Sequence, residues 1–218
     1  GPMLDPRLRS FVGMHEIPLL HGLTVGELAL MIQGENWFEG AKKLDLTVIP
    51  MNGYRKSMTY QLPIAPSPNL PNQQAIQLYP SLCLFEATAV SVGRGTDFPF
   101  QVIGHDKVHL GTFRFKPESR PYAAPQPKLM ERVLFGEDLR ASRIQGFELT
   151  PLLQAYKAFK QAEQTFFTAP EFFDKLAGTR QLREDIESGL TEAEIVQKWQ
   201  PALEEYKQAR RAYLLYPN

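Results

Sequence analysis

The stretch Leu84–Phe100, LFEATAVSVGRGTDFPF, decides how the first half of this chain is read, because its character changes midway. Leu84 to Val90 alternates like a buried β-strand and carries one carboxylate, Glu86. Ser91-Val-Gly-Arg-Gly-Thr-Asp97 is a turn-forming run in which Arg94 stands between two glycines. Glycine tolerates positive φ and lets another group approach the backbone closely. An arginine held there presents a planar fork to a carboxylate, a phosphate or a sugar hydroxyl. The same residues also suit a tight turn whose arginine points into water, and the motif alone leaves both readings open.

Outward from this stretch, short apolar runs continue as strands: FQVIG, GTFRFKP and RVLFGEDL, each bounded by turn residues. Upstream, Thr24 followed by Glu27 forms a capping box for a helix carrying Leu28, Met31 and Ile32. Leu44–Met51, LDLTVIPM, is β-rich and ends near proline, so it is expected to be a strand. The long connection from Asn52 to Ser81 is rich in Pro, Asn, Ser and Tyr, and long structured loops are often functional. After Thr150 four helical segments follow, punctuated by Thr150, Pro170, Gly178-Thr179, Gly189 and Thr191, with Pro201 marking a helix start or kink. The expected fold is α+β: a mixed, β-rich N-terminal half with one helix, then a helical C-terminal half.

Lys+Arg and Asp+Glu both number 24 in 218 residues, which removes the electrostatic case for nucleic acid or an anionic membrane. No apolar run is long enough to span a bilayer, and no signal peptide is visible. The opening Gly1-Pro2-Met3 reads as a cleavage scar, so natural sequence is expected upstream. Cys83, the one cysteine, sits in the apolar run LCLF and reads as a buried, inert thiol. His15, His21, His105 and His109 show no metal-ligand pairing, and neither a phosphate loop nor a nucleophile elbow is present.

Several polar positions qualify as candidate site residues. His21 precedes a helix start, where free N–H groups meet anions, although it equally suits a loop-to-helix hydrogen bond. Asn52, Tyr54 and Arg55 follow the expected strand, and ligands often bind at such ends. Pro66, Pro68 and Pro71 stiffen a turn that presents Ser67 and Asn69. With Tyr54, Tyr60 and Tyr79 nearby in sequence, that turn suits a sugar, and it suits a purely structural loop as well. Glu86, half-buried in its expected strand, is either an acid with a raised pKa or the partner of Arg94.

Taken together, RSFVGMHEIPLLHGLTVGELA, DLTVIPMNGYRK, LPIAPSPNLP, YPSLCLFEATAVSVGRGTDFPFQVIG, FFDKLAGTRQLREDIESG and EIVQKWQPALEEYKQARRAYLLY resemble the bacterial peptidoglycan exo-β-N-acetylmuramidase family. The resemblance runs from about Arg9 to Tyr216. Where members often read Phe-Glu-Gly-Thr-Asn, this chain has Phe85-Glu86-Ala87-Thr88-Ala89, and Val92 stands where many carry glutamate.

That resemblance implies a glycosidase removing N-acetylmuramic acid from the non-reducing end of cell-wall fragments, with the site in a cleft between a Rossmann-like N-terminal domain and a smaller C-terminal one. Residues 1–54 would be the end of the Rossmann-like domain, which is largely absent, and 55–218 the C-terminal α+β domain. The missing N-terminal domain would be a partner, alongside a muropeptide or another saccharide containing N-acetylmuramic acid. It further implies no cofactor and a periplasmic or secreted setting. Arg94, followed by Thr96, would recognise the lactyl carboxylate of muramic acid. Glu86 would orient Arg94 or support acid/base chemistry, and His21, Asn52, Ser67 and Asn69 would position substrate. A chain holding only part of the cleft would be inactive alone; the alternative is a non-catalytic sugar-binding or scaffolding module.

Overall fold

The computed structural model describes residues 1–217. Among them are six α-helices and one three-stranded sheet. Helix α1 (Val25–Gly34) begins with the expected capping box: Glu27 N–H donates to Thr24 Oγ1 and Thr24 N–H donates to Glu27 Oε2. Helix α2 (Gln73–Leu82) lies inside the stretch expected to be a long loop. Asn72 caps it, its Oδ1 accepting from Ala75 N–H at 2.9 Å. Ala75, Leu78 and Leu82 are fully buried on one face of this helix.

Three expectations for the first half are corrected. The run after α2 is not a strand: Cys83–Ala87 forms a 3-10 helix that continues α2. Cys83, Leu84, Phe85 and Ala87 are all buried there and only Glu86 keeps partial exposure, so the run's apolar pattern suits a buried helical turn as well as a strand. Leu44–Met51 is irregular and exposed, with Ile49 83% accessible. No strand among the described residues pairs with it, and unpaired β-rich segments gain no ladder bonds. Asn52 therefore sits in an exposed turn rather than at a strand end. The N-terminal half thus holds two α-helices, not one, and is not rich in β-structure.

The strands expected from FQVIG, GTFRFKP and RVLFGEDL do form: β1 (Val102–His105), β2 (Phe113–Phe115) and β3 (Leu134–Asp138). β3 is central and antiparallel to both neighbours, pairing Gly104 with Gly136 on one side and Phe113 with Gly136 on the other. A side chain at Gly136 would collide with the Ile103 carbonyl, so glycine at the centre permits this close packing.

The C-terminal helices are α3 (Thr150–Gln161), α4 (Pro170–Ala177), α5 (Gln181–Glu187) and α6 (Glu192–Ala209). Thr191 and Glu194 form a second capping box, and α6 runs through Pro201 without stopping. The two halves share one core: Leu78, Leu84, Phe85, Phe100 and Ile103 from the first pack with Leu149, Leu152, Phe159, Phe173 and Leu182 from the second. Ala89 N–H donates to the Phe166 carbonyl at 2.8 Å, and Thr168 N–H to Ala87 at 3.2 Å. The Glu86 segment is therefore anchored on the helical half.

Candidate functional site

The Gly93-Arg94-Gly95 turn lies in a closed loop from Val92 to Phe100, sealed where Phe100 N–H donates to the Val92 carbonyl at 2.7 Å. Gly93 and Gly95 have φ of +76° and +84°, the left-handed region that glycine enters without steric cost. Both are also crowded: a Cβ on Gly93 would lie 2.6 Å from Val102 Cγ2, and one on Gly95 2.6 Å from Pro127 Cγ. Thr96 braces the turn, its hydroxyl donating to the Gly93 carbonyl at 2.6 Å and accepting from Phe98 N–H. Phe100, fully buried, has φ +55°. For a bulky residue that conformation carries strain of order 1–3 kcal/mol, and such strain concentrates at functional sites.

This rigid loop holds Arg94 against Glu86. Arg94 Nη2 lies 2.6 Å from Glu86 Oε1, with the two side chains 37% and 24% accessible. The guanidinium carbon stands 5.2 Å from the centre of the Phe100 ring, a cation–π arrangement. Tyr79 packs edge-on against Phe100 at 4.9 Å. Burial, with smaller contributions from Cys83 and Glu86, pushes the Tyr79 phenol above its usual pKa, so it stays a neutral donor. Arg94 Nε is buried and has no hydrogen-bond partner among the described residues. Glu86 thus holds one nitrogen of the fork, and the side chain remains open enough to meet an anion.

The Ser67–Asn69 turn reaches this loop through residues 118–128. Asn69 Nδ2 donates to the Ala123 carbonyl at 2.8 Å, and Glu118 N–H donates to Gly95 at 2.9 Å. Asn69 is buried and its N–H donates to Ser67 Oγ. Glu86, Arg94, Thr96, Ser67 and Asn69 therefore belong to one connected region.

His21 and Asn52 lie elsewhere. His21 Nδ1 accepts from Leu23 N–H, and its carbonyl accepts from Tyr206 Oη and Arg210 Nη1. Burial first, then Arg210 and Lys56, hold its imidazole below the usual pKa, which keeps it neutral at pH 7. It lines a cavity of about 400 Å³ with Leu4, Phe11, Met14, His15 and Gly178. Among the described residues no hydrogen bond or ion pair joins His21 or Asn52 to Glu86 or Arg94. Nor does any group of three potential metal ligands gather there, and no helix is long and apolar enough to cross a membrane.

Sequence reading missed Lys128 and Phe100. Lys128 Nζ reaches the carbonyls of Phe85, Glu86, Thr88 and Val90. Its surroundings in sequence, Pro127-Lys-Leu129, carry no periodic or motif signal. Phe100 closes the Leu84–Phe100 stretch, but only its positive φ and its contacts with Tyr79 and Arg94 mark it.

Comparison with known proteins bears on this region. A family profile described as "Exo-beta-N-acetylmuramidase NamZ, C-terminal" matches residues 77–216, and the N-terminal profile of the same family matches residues 1–74. The chain is 32% identical to a peptidoglycan beta-N-acetylmuramidase NamZ of Bacillus subtilis over 99% of its own length and 55% of the relative's. A crystal structure of a DUF1343 family protein from Bacteroides fragilis superimposes with a TM-score of 0.91 at 43% identity, over all of this chain and 62% of that one. A second DUF1343 family protein from that organism, at 21% identity, shares the fold with a TM-score of 0.78. The chain spans little more than half the length of the curated relative it matches.

Proposed function

This chain belongs to the exo-β-N-acetylmuramidase family, and on that premise we propose that it forms one wall of a glycosidase site releasing N-acetylmuramic acid from the non-reducing ends of peptidoglycan fragments. The observation that carries the reading is the half-exposed Arg94, fixed on a strained, glycine-flanked loop and backed by Glu86. Muramic acid differs from other hexosamines by its lactyl carboxylate. A guanidinium whose geometry is already set forms a charge-assisted contact to that group with little ordering cost.

Glu86 orients Arg94 and is the carboxylate at hand for acid/base work. Two-carboxylate glycoside hydrolysis needs a second carboxyl group across the scissile bond. In this reading the remainder of the longer relatives supplies it, with residues 1–54 closing a Rossmann-like domain and 55–218 forming the opposite wall. Ser67 and Asn69 shape the rim beside Arg94, and Thr96 stiffens it. His21 and Asn52 serve as substrate contacts only if the cleft extends past α6. In this reading the working protein acts in the periplasm or outside the cell.

The test is release of 4-nitrophenol from a 4-nitrophenyl N-acetylmuramic acid glycoside. Residues 1–218 alone should give little or none, and the same chain extended to the length of its relatives should turn over. In the extended protein Arg94→Ala should weaken N-acetylmuramic acid relative to N-acetylglucosamine by about 1.5–3 kcal/mol. Equal losses for the two sugars remove Arg94 from lactyl recognition. Full activity of residues 1–218 shows that the second wall is dispensable, and an inactive extended protein leaves a sugar-binding module as the better account.

A further inference from the structure

Lys128 makes an unusual set of contacts. Its Nζ lies 3.2 Å from the Phe85 carbonyl, 3.4 Å from Glu86 and 3.2 Å from Val90, and it also bonds the Thr88 carbonyl. An ammonium has three protons, so four carbonyls share them. These carbonyls come from the end of the 3-10 helix that carries Glu86 and from the segment leading into the Arg94 loop. The Phe85 carbonyl also accepts from Thr88 N–H at 3.0 Å, and a cation at a helix C-terminus is favoured by the helix dipole.

The residue before it grips the other side of the site. Pro127 packs on Gly95 so closely that a Cβ there would lie 2.9 Å from Pro127 Cβ. Glu118 N–H donates to the Gly95 carbonyl at 2.9 Å, and Asn69 ties the same segment down through Ala123. Residues 118–128 therefore touch the Arg94 turn at one end and the Glu86 backbone at the other. We infer that Lys128 is a positioning residue, setting the backbone of Glu86 and the Arg94 loop at the separation that keeps their ion pair formed. Its consequence for muramic acid binding rests on the role proposed above for Arg94. Burial lowers the Lys128 pKa to about 8, with Glu86 pulling it up and Arg94 pushing it further down, so the ammonium is still charged at pH 7.

The test uses 15N NMR on residues 1–218 and compares hydrogen exchange at the Phe100 amide, whose bond to the Val92 carbonyl closes the Arg94 loop, with exchange at the Ile195 amide in α6, which bonds the Thr191 carbonyl. Both amides are hydrogen-bonded in buried residues, so a change in global stability alone moves both rates together. In Lys128→Met the Phe100 rate should rise at least fivefold relative to Ile195, and Lys128→Gln, carrying the same threshold, serves if the Met variant does not fold. A relative change below fivefold overturns the assignment, and so does failure of both variants to fold, which would make Lys128 a folding residue. A parallel titration of the wild-type chain with N-acetylmuramic acid and N-acetylglucosamine separates the two readings. Equal binding of the sugars removes the lactyl role of Arg94 and leaves the exchange ratio as the measure of Lys128.

Discussion

Replacing Gly95 with alanine isolates what the Arg94 turn demands of its backbone, because Gly40 offers a matched control. Both glycines have φ of +84°. Gly40 has no atom within 4 Å of a built Cβ, whereas at Gly95 that Cβ would meet the Glu118 carbonyl at 2.5 Å and Pro127 Cγ at 2.6 Å. The left-handed conformation costs an alanine about 1–2 kcal/mol. Loss of unfolded-chain entropy offsets about 0.4–1 kcal/mol of this, so Gly40→Ala should destabilise by about 1 kcal/mol. Gly95→Ala adds overpacking of about 1–3 kcal/mol, since both obstructing groups are backbone or ring atoms that also hold the clamp on Arg94. The total is about 2–4 kcal/mol. For a chain of 218 residues, at about 2–4 °C per kcal/mol, Gly40→Ala should lower Tm by about 2–4 °C and Gly95→Ala by about 4–16 °C. Calorimetry on the two variants decides the matter. If they melt within about 1 °C of each other, crowding at Gly95 contributes nothing and the account of the turn as a tightly packed clamp is wrong.

Other expected outcomes follow from buried groups. Glu27 is fully buried, accepts from Lys56 Nζ at 2.6 Å and from Leu215 N–H at 2.8 Å, and so ties α1 to the C-terminal segment. Burial alone would raise its pKa, but Lys56, Thr24 and Leu215 together bring it below the model-peptide value of 4.5. Its stabilisation is therefore present above pH 4.5 and is lost as pH falls through the lower folded value. Glu27→Gln should cost about 3–5 kcal/mol at pH 7, and urea titrations should show the gap to wild type closing towards pH 3; a gap that stays constant or widens refutes the assignment. Asp174 is buried and bound by Arg183 through Nε and Nη2, both at 2.9 Å. Asp174→Asn should destabilise by about 3–5 kcal/mol in chemical denaturation, and a loss below about 1 kcal/mol, the worth of a surface pair, contradicts a buried one. Burial pushes the Cys83 thiol up to about 12, so a thiol reagent at pH 8 should label it only in step with unfolding; fast labelling of the native chain shows that the turn opens.

Local chemistry alone determined much of this protein. Thr24–Glu27 and Thr191–Glu194 close capping boxes within four residues of sequence, and α4 begins at Pro170 and ends on the left-handed Gly178, preferences that act over one turn. The glycines flanking Arg94 announced positive φ for the same reason. The ordered motifs from Arg9 to Tyr216 identified the family. Other features depended on partners distant in the chain. Cys83–Ala87 is apolar apart from Glu86 and shows neither a helical nor a strand period, so its packing on α2 and α4 decided helix over strand. Leu44–Met51 has the composition of a strand, but a strand exists only where another backbone takes its hydrogen bonds. The separation of His21 from Arg94 and the capture of four carbonyls by Lys128, some forty residues away from them, are likewise products of folding. A hydrogen-bond partner that far along the chain leaves no periodic trace in sequence, and only the tertiary structure brings it into reach.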